Sequence, residues 1–216
     1  MKKANCLALF LVAALWVGAA TYSQAQNPAP EQADAVTSAV LGQPAPDFVL
    51  KDHEGKPARL SDMRGKIVVL EWFNPDCPFV KRHYNLGTMK ALADRYREKG
   101  VVWLAVNTTH YLNQESNKKW VKEKRLPYRV LDDSEGEVGR LYAAKTTPHM
   151  FIIDKKGTLV YAGGIDSKPV GNPDALLAEG TVNYVDKALS ELTSGKDVAI
   201  PKSKPYGCSV KYAPKK

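Results

Sequence analysis

Between residues 66 and 74 the chain reads KIVVLEWFN, apolar at nearly every position and broken only by Glu71. A β-branched run of that length predicts a strand buried on both faces at the centre of a sheet. VVWLAVN (101–107) and YRVLDD (128–133) repeat the pattern, and HMFIID (149–154) and TLVYAGG (158–164) read as strands joined by the turn DKKG. Upstream, residues 48–50 and 58–60 flank a turn carrying HEGKP, which predicts a short amino-terminal β-hairpin. Between the strands the period changes. Phe79, Leu86, Met89, Leu92, Ala93 and Tyr96 recur at helical spacing, with Pro78 suited to the first helical position, Gly87 marking a kink or break and Gly100 a stop. A polar helix over 114–125 turns Trp120 and Val121 inward. Asp133 or Ser134 caps a helix over 136–144, and a last helix spans about 176–193. Strands alternating with helices and closing on a hairpin predict an α/β fold, a mixed central sheet flanked by helices and followed by an extended tail.

Composition divides the chain. The opening MKKANCLALFLVAALWVGAATYSQAQ has a basic start, an apolar run and a small-residue close at Ser23-Gln24-Ala25, the layout of a secretory signal peptide. The expected organisation is a signal peptide over 1–25, a Pro/Ala/Gln-rich linker over 26–40, one domain over 41–195 and a basic tail over 196–216 that carries Cys208. Such a protein is expected to be exported, periplasmic or secreted, with no stable membrane insertion once the leader is cut. The formal charge of +8 falls to +6 without Lys2 and Lys3, and to about +1 without five tail lysines. A near-neutral body lacks the clustered cations that phosphate backbones require, so no nucleic-acid partner is expected.

Loss of Cys6 with the leader leaves Cys77 and Cys208, too few to staple a scaffold and enough for one redox pair. Cys77 falls where the central strand ends and a helix begins. A helix amino terminus favours the thiolate, and Lys81 and Arg82 one turn on add positive charge. Flanking Asp76 and Pro78 predict an exposed corner. Glu71, an acid inside an apolar strand, should have a raised pKa and could relay protons to a nearby thiol; a salt bridge to a lysine is the other reading. Pro148 after Thr147, opening a buried strand, stands where a cis proline would suit. His83 and His149 could meet Cys77 around a soft metal such as Cu(I). Surface or satisfied histidines are the simpler reading, and no metal or cofactor is expected. His53 and His110 have no supporting pattern.

Together these residues resemble the thioredoxin superfamily in its redoxin branch of peroxiredoxin-like, alkyl hydroperoxide reductase and thiol-specific-antioxidant proteins. GQPAPDFVLKDHEGKPARLSDMRGKIVVLEWF is similar to that branch's amino-terminal block, CPFV to its active-site start and TTPHMFIIDKKGTLVYAG to its cis-proline block. The closing KPYGCSVKY resembles the tail of exported bacterial redoxin-domain proteins. The resemblance implies a thioredoxin-like fold with Cys77 as attacking cysteine, Pro148 as the cis proline facing it and Glu71 as the buried acid. Pro78, Phe79, Thr147 and His149 would line the substrate groove. Two departures matter: Val80 stands where a resolving cysteine would be, and Leu70 and Asn74 stand where the peroxiredoxin signature has Pro and Thr or Ser. Cys208 is then the internal candidate to resolve a mixed disulfide. The tail beyond Gly195 can reach roughly 40 Å, and Tyr206 and Tyr212 could dock it. A free tail thiol or an intermolecular bridge are the competing readings. The expected activity is thiol–disulfide exchange on a protein or small-molecule disulfide, fed by an electron-donating thiol protein. The alternatives are a peroxidase acting on hydroperoxides, and a non-catalytic copper- or protein-binding module.

Overall fold

The computed structural model describes residues 38–172 and 178–214, so the leader and nearly all of the expected linker lie outside the described residues. Strand β3 (Ile67–Trp72) is the centre of the sheet, and all six of its residues are buried. It pairs in parallel with β4 (Val101–Asn107), which pairs in parallel with β5 (Arg129–Asp132). On its other side β3 runs antiparallel to β7 (His149–Ile153), and β7 to β8 (Leu159–Gly163). The hairpin β1 (Val49–Asp52) and β2 (Pro57–Arg59) joins the β5 edge, giving the order β2-β1-β5-β4-β3-β7-β8. This is the mixed α/β sheet that the sequence predicts, hairpin included.

Alternation along β3 sorts the core into two layers. Ile67 and Val69 face α1 (Pro78–Asn85), α2 (Thr88–Arg97), α3 (Gln114–Lys124) and α5 (Tyr184–Thr193), meeting Val80, Met89, Leu92, Trp120 and Leu189. Val68, Leu70 and Trp72 face α4 (Glu137–Leu141) and the amino-terminal segment, meeting Val138, Phe48 and Leu60. The break expected near Gly87 separates α1 from α2, with Gly87 at φ +69°. Asp133 holds α4 by accepting from the N–H groups of Val138 and Gly139.

Two helix boundaries need correction. The last helix begins at Tyr184, not near 176: Asn183 caps it by accepting from the Asp186 N–H, and Gly180 just before lies at φ +69°. The helix expected over 136–144 ends at Leu141, because Ala143 takes φ +49°. Among the described residues no helix is long and apolar enough to cross a membrane.

The tail is also not a loose extension. After α5 it crosses the end of the sheet, with Ala162 N–H donating to Pro201 and Ser203 N–H to Ala162. Residues 208–209 form β9, which pairs antiparallel with β6 (Thr146–Thr147). Tyr206 and Cys208 pack on the α1 layer, Val210 and Tyr212 on the α4 layer. The tail is a strap that joins both layers, fastened beyond Cys208 by Val210 N–H to Lys145, His110 N–H to Lys211, and Tyr212 O–H to Ala144.

Candidate active site at Cys77

Cys77 is the N-cap of α1, with Pro78 in the first turn. The loop before it is set by Asn74, whose side chain accepts from Asp76 N–H and whose carbonyl accepts from Cys77 N–H. The sulfur donates to the Thr147 carbonyl at 3.0 Å, across the Thr147–Pro148 peptide bond, which is cis as expected. Contrary to the exposed corner expected from Asp76 and Pro78, Cys77 is only 2% exposed. The Thr147 carbonyl of the cis-proline loop and Cys208 of the strap both lie against it, neighbours that local sequence could not show.

Cys208 lies directly beside Cys77. Its backbone is paired with Thr147, and its thiol is within hydrogen-bonding reach of the Cys77 sulfur, although both cysteines are free in this structure. Burial works against ionising Cys77, yet the Cys208 thiol, the otherwise unpartnered Thr147 hydroxyl and the Val80 N–H together hold its pKa below the ordinary thiol value. Burial pushes Cys208 the other way, up to about 11, and Cys77 beside it adds to the rise. Of the two sulfurs Cys77 is therefore the more readily ionised, and Cys208 is the one that holds its proton more tightly. Lys81 and Arg82 are not what lowers Cys77. Arg82 is fully buried, with Nη1 4.0 Å from Asp166, so its charge faces a carboxylate instead.

The close approach of the strap depends on Gly207. It has φ +125°, and a Cβ there would overlap the Thr147 carbonyl oxygen, so the strap can lie flat on the Thr147–Pro148 peptide only with glycine at this position. Gly163 and Gly164 receive Ser203 and Lys204 in the same way. Gly207→Ala is expected to lift the strap and speed native-state alkylation of Cys77 by iodoacetamide about tenfold or more. A labelling rate equal to that of the unmodified protein would show that the close contact does not hold the strap.

Glu71 is fully buried, as expected, and burial pushes its pKa up to about 7 against the opposing hydrogen bonds from Trp103 and Tyr84. Those two are its partners: Trp103 Nε1 donates at 2.8 Å and Tyr84 O–H at 3.0 Å. No lysine pairs with it among the described residues, and no hydrogen bond joins it to Cys77. Phe79 does face the site, its ring 5.9 Å from that of Tyr206. His149 does not line a groove. It is buried, accepts from Lys145 N–H, and lies tilted against Phe151 with ring centroids 4.3 Å apart, and burial lowers its pKa to about 4. His53 accepts from Val130 N–H, and His110 lies edge-on to Tyr111.

Around Tyr206 and His83, read in the sequence as a tail dock and a possible metal ligand, the structure adds Asp166, which sequence reasoning missed. Tyr206 O–H donates to Asp166 Oδ1 at 2.6 Å, and His83 Nε2 lies 3.0 Å from the same hydroxyl. His83 is 0% and Asp166 2% exposed. An acid in the segment GGIDS, and Arg-His on a helix beside two polar residues, look solvent-facing when read locally. Tyr206 of the returning strap meets both Asp166 and His83.

The AhpC/TSA family description matches residues 41–162, more than half of the chain. Over 120 residues the chain is 32% identical to the thiol-disulfide oxidoreductase ResA of Bacillus thuringiensis, covering 56% of this chain and 67% of that one. Over 155 residues it is 28% identical to the chloroplastic peroxiredoxin Q of Triticum aestivum, covering 62% and 65%. The crystal structure of an uncharacterized conserved protein from Geobacillus kaustophilus superposes with a TM-score of 0.71 at 31% identity, covering 82% of this chain and 94% of that one. With the cis-proline loop facing a helix-capping cysteine at the end of a mixed seven-stranded sheet, these matches place the chain in the AhpC/TSA family, on the thioredoxin-like fold.

Proposed function

We propose that the protein is a thiol–disulfide oxidoreductase whose redox centre is the pair Cys77 and Cys208. The observation that carries this reading is that Cys208 pairs through its backbone with Thr147, the residue whose carbonyl the Cys77 sulfur meets at 3.0 Å. The Cys77 thiolate attacks one sulfur of an external disulfide and expels the other as a thiolate. Cys208 then loses its proton, attacks the Cys77 sulfur and releases the second substrate thiolate, leaving a Cys77–Cys208 disulfide. Two electrons have moved to the substrate, and a donor thiol protein restores them by the reverse exchange. Because the strap covers Cys77, each cycle requires it to lift from Thr146–Thr147 and return. Thr147, Pro148, Pro78 and Phe79 would then form the surface on which a disulfide segment lies. Glu71, with a pKa near neutrality on the strand leading into the site, would serve as the proton store. The expected leader supports an exported setting for this chemistry, where disulfides persist.

The similarity to a peroxiredoxin raises the peroxidase reading, and two residues weigh against it. Leu70 is a core side chain, and Asn74 spends its oxygen on Asp76 N–H, so neither supplies the Pro and hydroxyl of the peroxidatic signature.

Peptide mapping under non-reducing conditions, after equilibration with oxidised glutathione, tests the pairing. The expected product is a Cys77–Cys208 linked peptide in monomeric protein, with both thiols lost together. Both thiols remaining free, or a bridge between chains, would refute it.

A further inference from the structure

We infer that Tyr206, seated in a socket of Arg82, His83 and Asp166, is a positioning residue that delivers Cys208 to Cys77. The inference rests on the Cys77–Cys208 reading and adds the element that makes a distant cysteine act as a near one.

The socket belongs to the same helix as the nucleophile. Cys77 caps α1, and Arg82 and His83 lie in the last turn of that helix, both fully buried. Asp166 meets them from the segment after β8, with Arg82 Nη1 and His83 Nε2 each 4.0 Å from its Oδ2. Tyr206 O–H fills the centre, donating its one proton to Asp166 Oδ1. The ring nitrogen at 3.0 Å must then be the donor, so His83 carries its proton on Nε2. Burial lowers the His83 pKa to about 4, so the ring is neutral near pH 7. The Tyr206 ring rests near Gly164, where a Cβ would press against it at 3.3 Å, and meets Phe79 on another side.

Two residues further on is Cys208. Tyr206 fixes the strap to α1, Gly207 lays it on the Thr147 carbonyl, and Cys208 pairs with the Thr147 backbone. The sulfur is thereby placed from two directions over the helix that holds its partner. Ser203 holds the strap before this stretch and Val210 after it, and Tyr206 fixes the segment between them to α1. Each fixed anchor raises the effective concentration of Cys208 at Cys77. A hydrogen bond to a buried carboxylate is a strong anchor of this kind.

The test uses the aromatic disulfide DTNB as the probe on reduced, full-length protein. The Cys77 thiolate attacks DTNB, releasing one thionitrobenzoate and leaving the other on Cys77. Cys208 then gives up its proton, attacks the Cys77 sulfur, and releases the second thionitrobenzoate as the Cys77–Cys208 disulfide closes. The two releases separate exposure of Cys77 from delivery of Cys208. Tyr206→Phe keeps the ring and removes the hydroxyl, so the first release is expected to be as fast or faster. The second is expected to slow about tenfold or more. Asp166→Asn, which retains an acceptor for the hydroxyl, should slow the second release less than Tyr206→Phe. A residue that merely supports the fold would shift the melting temperature and leave the ratio of the two rates alone. An unchanged ratio in Tyr206→Phe overturns the positioning role while leaving the cysteine pair intact. Absence of any second release from the unmodified protein overturns the pair itself, and the positioning role with it.

Discussion

Cys77→Ser is expected to reduce exchange with a peptide disulfide by about 10³-fold or more, the scale on which loss of an enzyme nucleophile is felt. The reason lies in the unequal ionisation of the two sulfurs. Cys77 is held below the ordinary thiol value, whereas Cys208 is pushed up to about 11, first by burial. At pH 7 a thiol of that kind is anionic in roughly one molecule in 10⁴, so it cannot take over the attack. Burial of Cys208 persists when Cys77 is replaced, and the surviving thiol stays protonated. Cys208→Ser should behave differently. Its first attack is preserved and the protein accumulates as a mixed disulfide on Cys77, visible by mass spectrometry after acid quenching. Activity of Cys77→Ser within tenfold of the unmodified protein would remove Cys77 from the chemistry. The sign of the pH dependence follows from the same ionisation. The rate of first attack should rise with pH and level off below the pH at which an unstructured cysteine does.

Glu71→Gln is expected to gain stability relative to the unmodified protein as pH rises, by on the order of 3 kcal/mol between pH 4.5 and neutrality. Burial raises the folded-state pKa of Glu71 from 4.5 to about 7. Between those values the folded chain holds a proton that the unfolded chain has released, so stability falls as pH rises and levels off above about 7. Glutamine keeps an oxygen to accept from Trp103 and carries no such dependence. His83 and His149, both lowered to about 4, act in the opposite direction. Each costs stability as pH falls from the unfolded-state value of 6.5 toward 4, which partly hides the carboxyl in the unmodified protein. The difference between the two proteins removes the histidine contribution. Urea midpoints at pH 5 and pH 8 give that difference, and an equal gap at both would mean Glu71 is ionised throughout. If Glu71 also stores the proton of the exchange cycle, the pH–rate curve of the variant should lose its inflection near 7.

The sheet was readable from the sequence because its central strands are continuous β-branched runs, and burial of β3 on both faces needs no tertiary information. The break at Gly87 was readable for a similarly local reason. The start of α5 was not: the segment before Asn183 is rich enough in Ala and Leu to pass for helix, and the decisive signal is one capping side chain. Both cysteines and the burial of Glu71 were legible from residue type and spacing, and the cis proline from the resemblance to a family. The surroundings of the site were not. β9 is two residues long and has no periodicity to detect, yet it sets Cys208 against the Thr147 backbone, and Tyr206 just before it meets the buried His83 and Asp166. Information of that kind resides in contacts between distant parts of the chain, which no window along the sequence contains.

The order of synthesis gives the strap one more significance. A ribosome that has completed β8 has made the whole sheet and Cys77, but not the second sulfur. Until Cys208 follows and the strap is fastened, the domain carries one thiol, and the Gly207 contact with the Thr147 carbonyl does not yet exist.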